Sequence, residues 1–211
     1  MKPHWDERYS ASGYLYGTEP NSLVVAEARR IPLGPVLCLA EGEGRNAVHL
    51  AQLGHAVTAV DQSPVGLAKA AQLASARGVA LTTVAADLAS WPIAPATWAG
   101  IVAIWAHMPP PIRRRMHAQV VAGLMPGGVY LLEAYTPAQL AFGTGGPKDP
   151  ALCMTLAALR EELAGLDFEI ARECERDVFE GTGHTGRSAV VQVVARRPRH
   201  GGAALSLAST Q

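Results

Sequence analysis

VLCLAEGEGRNAVHL, residues Val36–Leu50, is the stretch of the sequence that decides the fold. Its apolar start predicts a buried strand over Val36–Ala40, and the glycines Gly42 and Gly44 predict a tight turn. Behind the turn, a helix is predicted from about Arg45 to Leu53. A strand, a glycine-rich turn and a helix in this order form the unit with which many α/β proteins hold a nucleotide-like cofactor.

The rest of the chain repeats this alternation of strands and helices. Apolar runs such as AVTAV and GIVAIWA predict strands that are covered on both faces. A helix is predicted from about Pro150 to Leu163, with Asp149 as its cap. The last two strands, DFEIARECERDV and SAVVQVVARR, have no helix between them and are predicted to pair as a hairpin around FEGTGHTGR. The predicted fold class is therefore α/β: a doubly wound, mostly parallel seven-stranded sheet with a C-terminal antiparallel hairpin.

The glycine turn carries a dinucleotide-type fingerprint. GEGRNA satisfies the pattern G-x-G-x-x-G/A through Gly42, Gly44 and Ala47. Asp61 ends the second predicted strand, 17 residues after Gly44, where a carboxylate suits the hydroxyls of a ribose. This fingerprint alone fits NAD as well as it fits S-adenosylmethionine.

Charge separates these two cofactors. Glu41 and Glu43 flank Gly42, and both would repel the diphosphate of a dinucleotide, which is best held by bare amides at a helix N-terminus. S-adenosylmethionine brings a sulfonium and an ammonium group, so carboxylates near the turn favour it. An NAD-binding oxidoreductase remains the alternative.

Three features carry a family resemblance: the segment VLCLAEGEGRN, the segment LMPGGVYLLEAY and the terminal hairpin. In these, over roughly Asn21 to Arg196, the chain resembles the class I S-adenosylmethionine-dependent methyltransferases, whose motifs are V-L-D-L-G-C-G-x-G-R-N and K-P-G-G-x-L. WDERY, GRN and GTGHTGRSAVVQVVARR are most similar to the tellurite-resistance and thiopurine S-methyltransferase group. The resemblance implies transfer of a methyl group to a small molecule, with a thiol, a chalcogen oxyanion or a similar soft nucleophile favoured. A non-catalytic S-adenosylmethionine-binding sensor domain is the second alternative.

The chain departs from the family motif at two positions. Cys38 stands where the family has an acid, and Ala40 where it has its first glycine, so we expect Glu41 to supply the missing negative charge unless it points to solvent. The resemblance implies that Asp87 binds the adenine amino group, although a turn cap would explain it equally. The full predicted cofactor set is Ala40, Glu41, Gly42, Gly44, Arg45, Asn46, Asp61, Gln62, Asp87, Leu88 and Trp105.

The acceptor site is expected at the carboxyl ends of the later strands, where ligands bind in open α/β sheets. Histidine titrates near neutrality, so His107 is a candidate general base, unless it only caps the next helix. By resemblance, His184 and Arg187 in the predicted hairpin loop face the acceptor; an exposed Arg187 is the alternative. The predicted catalytic residues are His107, His184 and Arg187, and the predicted substrate-binding residues are Trp5, Tyr16, Glu133 and Tyr135.

The aromatic N-terminal segment is interpreted as a lid over cofactor and acceptor, with a helix packed on the sheet edge as the alternative. The predicted organisation is a lid or helix over residues 1–30, a cofactor-binding methyltransferase domain over 31–198 and a flexible tail over 199–211.

The composition limits partners and location. Eighteen basic residues balance eighteen acidic ones, so nucleic-acid binding is not expected. No apolar run is long enough for a membrane span, and the beginning of the sequence has no secretory pattern. The three cysteines and seven histidines show no ligand spacing, so no metal site is expected and a cytoplasmic location is predicted. The expected partner is a small-molecule substrate, with the chain a monomer or a homodimer.

Overall fold

The computed structural model describes residues 2–199, so the predicted tail lies outside the described residues from His200 onward. Within them the chain forms six α-helices: α1 Lys2–Tyr9, α2 Ser22–Glu27, α3 Arg45–Gln52, α4 Pro64–Ala76, α5 Pro110–Gly123 and α6 Leu156–Glu162. It also forms seven strands: β1 Pro35–Leu39, β2 Ala56–Asp61, β3 Thr82–Ala85, β4 Trp98–Ile104, β5 Leu124–Tyr135, β6 Asp167–Glu180 and β7 His184–Arg196. None of the helices in this part of the chain has the length and apolar content that crossing a bilayer requires.

The strands form one seven-stranded sheet in the order β3-β2-β1-β4-β5-β7-β6. The strands β1 to β5 pair in parallel, and β7 lies antiparallel between β5 and β6. The predicted fold class is confirmed. Because the parallel strands end on the same side, their carboxyl ends form one edge of the sheet, and the candidate site lies along it.

The core has two layers, one on each face of the sheet. Successive side chains of a strand point to opposite faces, so Leu37 of β1 packs in the layer that includes α5 and α6, while Cys38 packs in the layer that includes α2 and α3. The prediction that Cys38 is a buried core residue is therefore confirmed.

The predicted helix from Pro150 to Leu163 is wrong at its start. Asp149 caps only a short 3-10 turn over Pro150–Leu152, and α6 begins later with Thr155 as its cap. The chain between them is extended because the N–H of Met154 donates to the carbonyl of Tyr135, at 2.9 Å. This long-range hydrogen bond competes with the helix.

The predicted hairpin exists, but its loop is shorter than the sequence suggested. The ladder between β6 and β7 continues to the pair Glu180 and His184, so only residues 181–183 form the turn. His184 and Arg187 therefore lie in strand β7, and their predicted place in a loop is wrong.

Candidate active site

The glycine turn after β1 is built from residues with positive φ. Ala40, Gly42 and Gly44 have φ values of 51°, 61° and 90°, a region that glycine adopts at little cost. A Cβ on Gly44 would lie 2.5 Å from the Cβ of Ala70 in α4. Glycine at this position therefore lets α3 start close to α4.

Asp61 is fixed between this turn and α4. Its side chain is buried, Oδ2 accepts from the N–H of Gly42 at 2.8 Å, and Oδ1 accepts from the N–H of Ser63 at 2.8 Å. Burial raises the pKa of its carboxyl. A carboxylate oxygen has more than one acceptor site, so the arrangement fits the predicted contact with ribose hydroxyls, which stays a prediction.

Glu41 caps helix α3. Its Oε1 accepts from the N–H groups of Asn46 and Ala47, at 3.0 and 2.8 Å, and burial raises its pKa to about 7. A bound diphosphate would need these amides at the helix N-terminus. Because Glu41 already occupies them, the structure argues against the dinucleotide alternative. The expectation that Glu41 points either to a cofactor ammonium or to solvent is wrong for this oxygen.

The other polar residues of the turn bind protein groups. Glu43 is buried, accepts from the N–H of Leu15 at 2.8 Å and pairs with Lys69 at 2.9 Å. We predicted that Glu43 would act by charge on the cofactor; instead it holds the N-terminal segment.

Arg45 and Asn46 turn toward neighbouring segments. The guanidinium of Arg45 pairs with Glu180 at 2.5 Å, and Asn46 Oδ1 accepts from the N–H of Asn21 at 2.9 Å. Their predicted role as cofactor ligands is therefore not what the structure shows, because both side chains are already used in connecting α3 to other segments.

The predicted adenine side lies after β3. Asp87 is exposed, and its Oδ1 accepts from the N–H of Ala89 at 2.8 Å, which makes it a turn cap. Leu88 is partly buried against the layer of α5 and α6, and Gln62 is half-buried behind Asp61. Contacts of these residues with adenine stay predictions.

Five aromatic rings pack at the ends of β4 and β5, and we name them the aromatic cluster: Tyr16, Trp105, His107, Tyr135 and His184. Trp105 stacks on Tyr135 and on His184, with centroid distances of 4.4 and 5.0 Å. Tyr16 meets His184 edge-on at 4.7 Å. The backbone of Trp105 has a φ of 57°, rare for a bulky residue and frequent at functional sites. The structure thus brings these predicted residues together.

His107 is not placed to act as a base. Its Nε2 accepts from the N–H of Tyr135 at 2.9 Å, so Nδ1 carries the proton and faces the carbonyl of Trp105 at 3.3 Å. Burial lowers its pKa to about 3. Both ring nitrogens bind backbone groups, so the predicted catalytic role of His107 is wrong; it holds the ends of β4 and β5 together.

His184 forms a pair with Tyr135. The Tyr135 Oη to His184 Nδ1 distance is 2.5 Å, and burial lowers the pKa of His184 to about 4. Among the described residues Nε2 has no hydrogen-bond partner. Glycines of the loop after β5 cover this pair, since a Cβ on Gly146 would lie 2.5 Å from the Tyr135 ring and one on Gly145 would lie 2.9 Å from Gly183 O.

Arg187 and Glu133 do not line the acceptor site. Arg187 is exposed and pairs with Glu175 at 3.2 Å; three positions from His184 in the same strand, its side chain points to the opposite face. Glu133 is fully buried and accepts from Arg176, Asn21 and Gln192. The exposed Arg187 agrees with the alternative given for it, and the catalytic role of Arg187 and the substrate contact of Glu133 stay predictions that this geometry does not favour.

Trp5 is separated from the glycine turn by Tyr9. It stacks on Tyr9 at a centroid distance of 5.6 Å, and the guanidinium of Arg8 lies 4.8 Å above its ring. It is Tyr9 that contacts the turn, and no sequence pattern distinguishes it from the other aromatic residues of this segment.

Sequence reasoning also missed a buried charged network. Glu180 pairs with Arg45 and Arg176 and accepts from the indole N–H of Trp105 at 2.6 Å. Asn21 donates to both Glu180 and Glu133, at 2.8 and 2.9 Å. The alternation of charged residues along ECERDVFE was a signal, but their partners depend on the position of β7 in the sheet.

Comparisons with known proteins agree with this geometry. Residues 36–128 match the family model of the methyltransferase domain. A solved structure from work on the conversion of a disulfide bond into a thioacetal group during echinomycin biosynthesis is 22% identical, with a TM-score of 0.77, covering 96% of this chain and 93% of that one. No curated protein sequence matches the chain.

Two further structures share the fold. The N-methyltransferase NodS from Bradyrhizobium japonicum WM9, in complex with S-adenosyl-L-homocysteine, is 14% identical with a TM-score of 0.69 over 93% of this chain and 98% of that one. TehB from Haemophilus influenzae is 17% identical with a TM-score of 0.67 over 93% of this chain and 66% of that one. Residues 36–128 therefore match a methyltransferase domain, and the chain shares its fold with the solved N-methyltransferase structure that holds S-adenosyl-L-homocysteine.

Proposed function

We propose that the enzyme methylates a small molecule at a thiol, with His184 as the general base. The observation that supports this proposal is the His184–Tyr135 pair, in which a neutral imidazole lies among aromatic rings at the carboxyl ends of the parallel strands. Bound S-adenosylmethionine supplies a methyl group that its sulfonium has already activated. The protein's task is therefore to align the nucleophile, exclude water and take one proton.

His184 suits this proton transfer when its Nδ1–H donates to Tyr135 Oη, because Nε2 then has a free lone pair. Its lowered pKa, about 4, keeps it neutral at pH 7. A thiol becomes a far stronger acid while its sulfur gains a methyl group, so a weak base is sufficient.

The charges around the aromatic cluster favour a thiol over an oxyanion. Arg187 lies on the opposite face, and Arg45 and Arg176 are already paired with buried carboxylates. The guanidinium carbon of Arg8 lies 5.9 Å from the ring centroid of Tyr16 and faces that ring. An oxyanion would lack the bidentate guanidinium partner that such ligands usually find.

We also propose that the chain is functionally related to the tellurite-resistance and thiopurine S-methyltransferase group. The similarity of its fold to TehB supports this, as does the N-terminal segment, which contacts both the glycine turn through Tyr9 and His184 through Tyr16. In this proposal residues 1–30 act as the lid and 31–198 as the cofactor-binding domain.

Profiling of methyl acceptors with thiols, amines and oxyanions such as tellurite tests the function. We expect turnover with thiols and little with amines. Turnover of tellurite without turnover of any thiol would show that the oxyanion is the substrate and that the thiol assignment is wrong.

The role of His184 is tested by the pH dependence of the rate in His184→Gln. Loss of a general base lowers the rate by about a hundredfold to ten-thousandfold, and the remaining rate should rise with pH as free thiolate forms. The wild type should be nearly flat from pH 5 to 8, because His184 titrates below this range. His49→Gln, on the outer side of α3, is the matched control; equal profiles for all three proteins would remove His184 from the mechanism.

A further inference from the structure

The N-terminal segment 4–20, named here the N-terminal strap, is fastened to the cofactor half of the molecule. Asp6 Oδ1 accepts from the hydroxyl of Ser63 at 2.6 Å. The ammonium of Lys69 donates to the carbonyls of Ala11 and Gly13, at 2.8 and 2.7 Å. These contacts fix the strap over the start of α4, next to the glycine turn.

Tyr9 of the strap lies directly on the glycine turn. A Cβ on Gly42 would be 2.6 Å from Tyr9 Oη, and a Cβ on Gly66 would be 2.9 Å from its ring. The side chain is 5% exposed, and burial raises its pKa far above that of a free phenol, so it is a neutral donor. Among the described residues its hydroxyl has no hydrogen-bond partner, and its oxygen is not one of the fully buried unpaired atoms, so the hydroxyl is open to a partner from outside the chain.

The same strap reaches the acceptor side. The carbonyl of Leu15 accepts from the N–H of Thr182 at 3.0 Å, and Tyr16 contacts His184. Arg8 connects the two ends, since its guanidinium lies 4.8 Å from the centroid of Trp5, which stacks on Tyr9, and 5.9 Å from that of Tyr16. Tyr9 and His184 therefore belong to one continuous series of contacts that runs through Trp5, Arg8 and Tyr16.

We propose that Tyr9 is a cofactor-contact residue, whose hydroxyl donates to the carboxylate of bound S-adenosylmethionine and so holds the N-terminal strap closed over the acceptor site. The amino-acid end of the cofactor needs a donor, whereas the nearby Asp61 and Glu43 side chains are acceptors when ionised. Cofactor binding therefore precedes closure over the acceptor. Only the position of the acceptor beside His184 rests on the proposed function.

Tyr9→Phe tests the contact, with Tyr14→Phe as the matched control. Tyr14 belongs to the same strap, but its hydroxyl faces the carbonyl of Lys69 at 3.4 Å. S-adenosylhomocysteine, which carries the same carboxylate, is titrated calorimetrically. We expect Tyr9→Phe to bind it about tenfold to a hundredfold more weakly, the range for a hydrogen bond to a charged group, and Tyr14→Phe to bind it within about twofold of wild type.

Closure is measured separately by trypsin cleavage after Arg8. With S-adenosylhomocysteine at ten times each protein's own Kd, cleavage of the wild type should slow by about tenfold if the ligand binds only the closed strap. In Tyr9→Phe the same occupancy should protect Arg8 far less. The proposal would be overturned by an unchanged affinity of Tyr9→Phe for S-adenosylhomocysteine, or by a rate of wild-type cleavage after Arg8 that is the same with and without the ligand.

Neither measurement needs a methyl acceptor. If no thiol is methylated but Tyr9→Phe still loses affinity and protection, the proposed function fails and the Tyr9 contact stands. If thiols are methylated and Tyr9→Phe behaves as wild type, only the inference about Tyr9 fails.

Discussion

At the scale of single residues, Glu41 fills the N-terminus of α3 with a carboxylate of its own chain. Glu41→Ala leaves the N–H groups of Asn46 and Ala47 without their acceptor. We expect a loss of about 1 kcal/mol in the free energy of unfolding, the usual cost of a helix cap, measured by urea denaturation at pH 7. Glu41→Gln keeps an acceptor oxygen and should lose less; an equal loss in both variants would show that the cap is unimportant.

Glu41 also makes stability depend on pH. Burial raises its pKa from 4.5 to about 7, so between these values the folded protein holds a proton that the unfolded chain has released. The contribution of Glu41 to the free energy of unfolding should therefore fall as pH rises from about 4.5 to about 7, by up to about 3 kcal/mol, whereas the lowered pKa values of His107 and His184 act in the opposite direction in the wild type. Urea denaturation of wild type and Glu41→Gln across this range isolates this contribution: the difference in stability between the two proteins should change by that amount, and a difference that does not depend on pH would contradict the assignment.

Some of these residues could be identified from sequence and others could not. Gly42, Gly44 and Asp61 were predicted because a tight turn and a strand end are local features. The contacts of Glu41 and Arg187 could not be predicted from sequence. Each side chain could have bonded to several different groups, and only the folded chain determines which one it contacts. For Arg187 the decisive fact is the register of β7, which turns it away from His184.

At the scale of elements, α5 and α6 are clamped by a buried ion pair. The Glu162 carboxylate accepts hydrogen bonds from two guanidinium nitrogens of Arg113, and it lies 2.6 Å from His117 Nδ1. Burial acts against ionisation, but the hydrogen bonds from His117 and Arg113 hold the pKa of Glu162 at about 2. The carboxylate is therefore ionised wherever the protein is folded above that pH.

We expect Glu162→Gln to lower the free energy of unfolding by about 3 kcal/mol, because it leaves Arg113 as a buried charge without its partner. The contribution of Glu162 is present above the unfolded pKa of 4.5 and is lost as pH falls toward about 2. The difference between wild type and variant should therefore shrink below pH 4.5. The exposed neighbour changed in Glu161→Gln should alter stability by less than about 0.5 kcal/mol; similar losses in both would argue against the clamp.

Element boundaries show the limit of local reasoning. The order of strands and helices along the chain was predicted from alternating apolar runs and helix caps, and all seven predicted strands are found in the sheet. The start of α6 could not be predicted in this way, because Asp149 and Thr155 are both good helix caps. The backbone hydrogen bond from the N–H of Met154 to the carbonyl of Tyr135 decides between them. The end of β6 and the start of β7 were missed because the segment FEGTGHTGR, rich in glycine and threonine, resembles a loop until the two strands are seen side by side.

At the scale of the whole molecule, one buried network connects segments that are far apart in sequence. Through Glu180 it joins the N-terminal segment at Asn21, α3 at Arg45, the end of β4 at Trp105 and β6 at Arg176. Two carboxylates, those of Glu133 and Glu180, face two guanidinium groups, so the network is balanced only when every member is present. It therefore ties Asn21, the cap of α2, and the terminal hairpin to the parallel sheet, and Arg45 extends it to the strap by donating to the carbonyl of Glu19 at 3.3 Å.

Removing one charge from this network should affect the whole fold. We expect Glu180→Gln to lower the free energy of unfolding by about 3 to 5 kcal/mol, because Arg45 remains buried with weaker partners. Glu175→Gln is the matched control, since the same substitution in the same strand breaks only the exposed pair with Arg187 and should cost less than about 1 kcal/mol. Urea denaturation followed both by circular dichroism and by tryptophan fluorescence checks both variants. A loss in Glu180→Gln no larger than that in Glu175→Gln would mean that water replaces the network and that the strap is held by its other contacts alone.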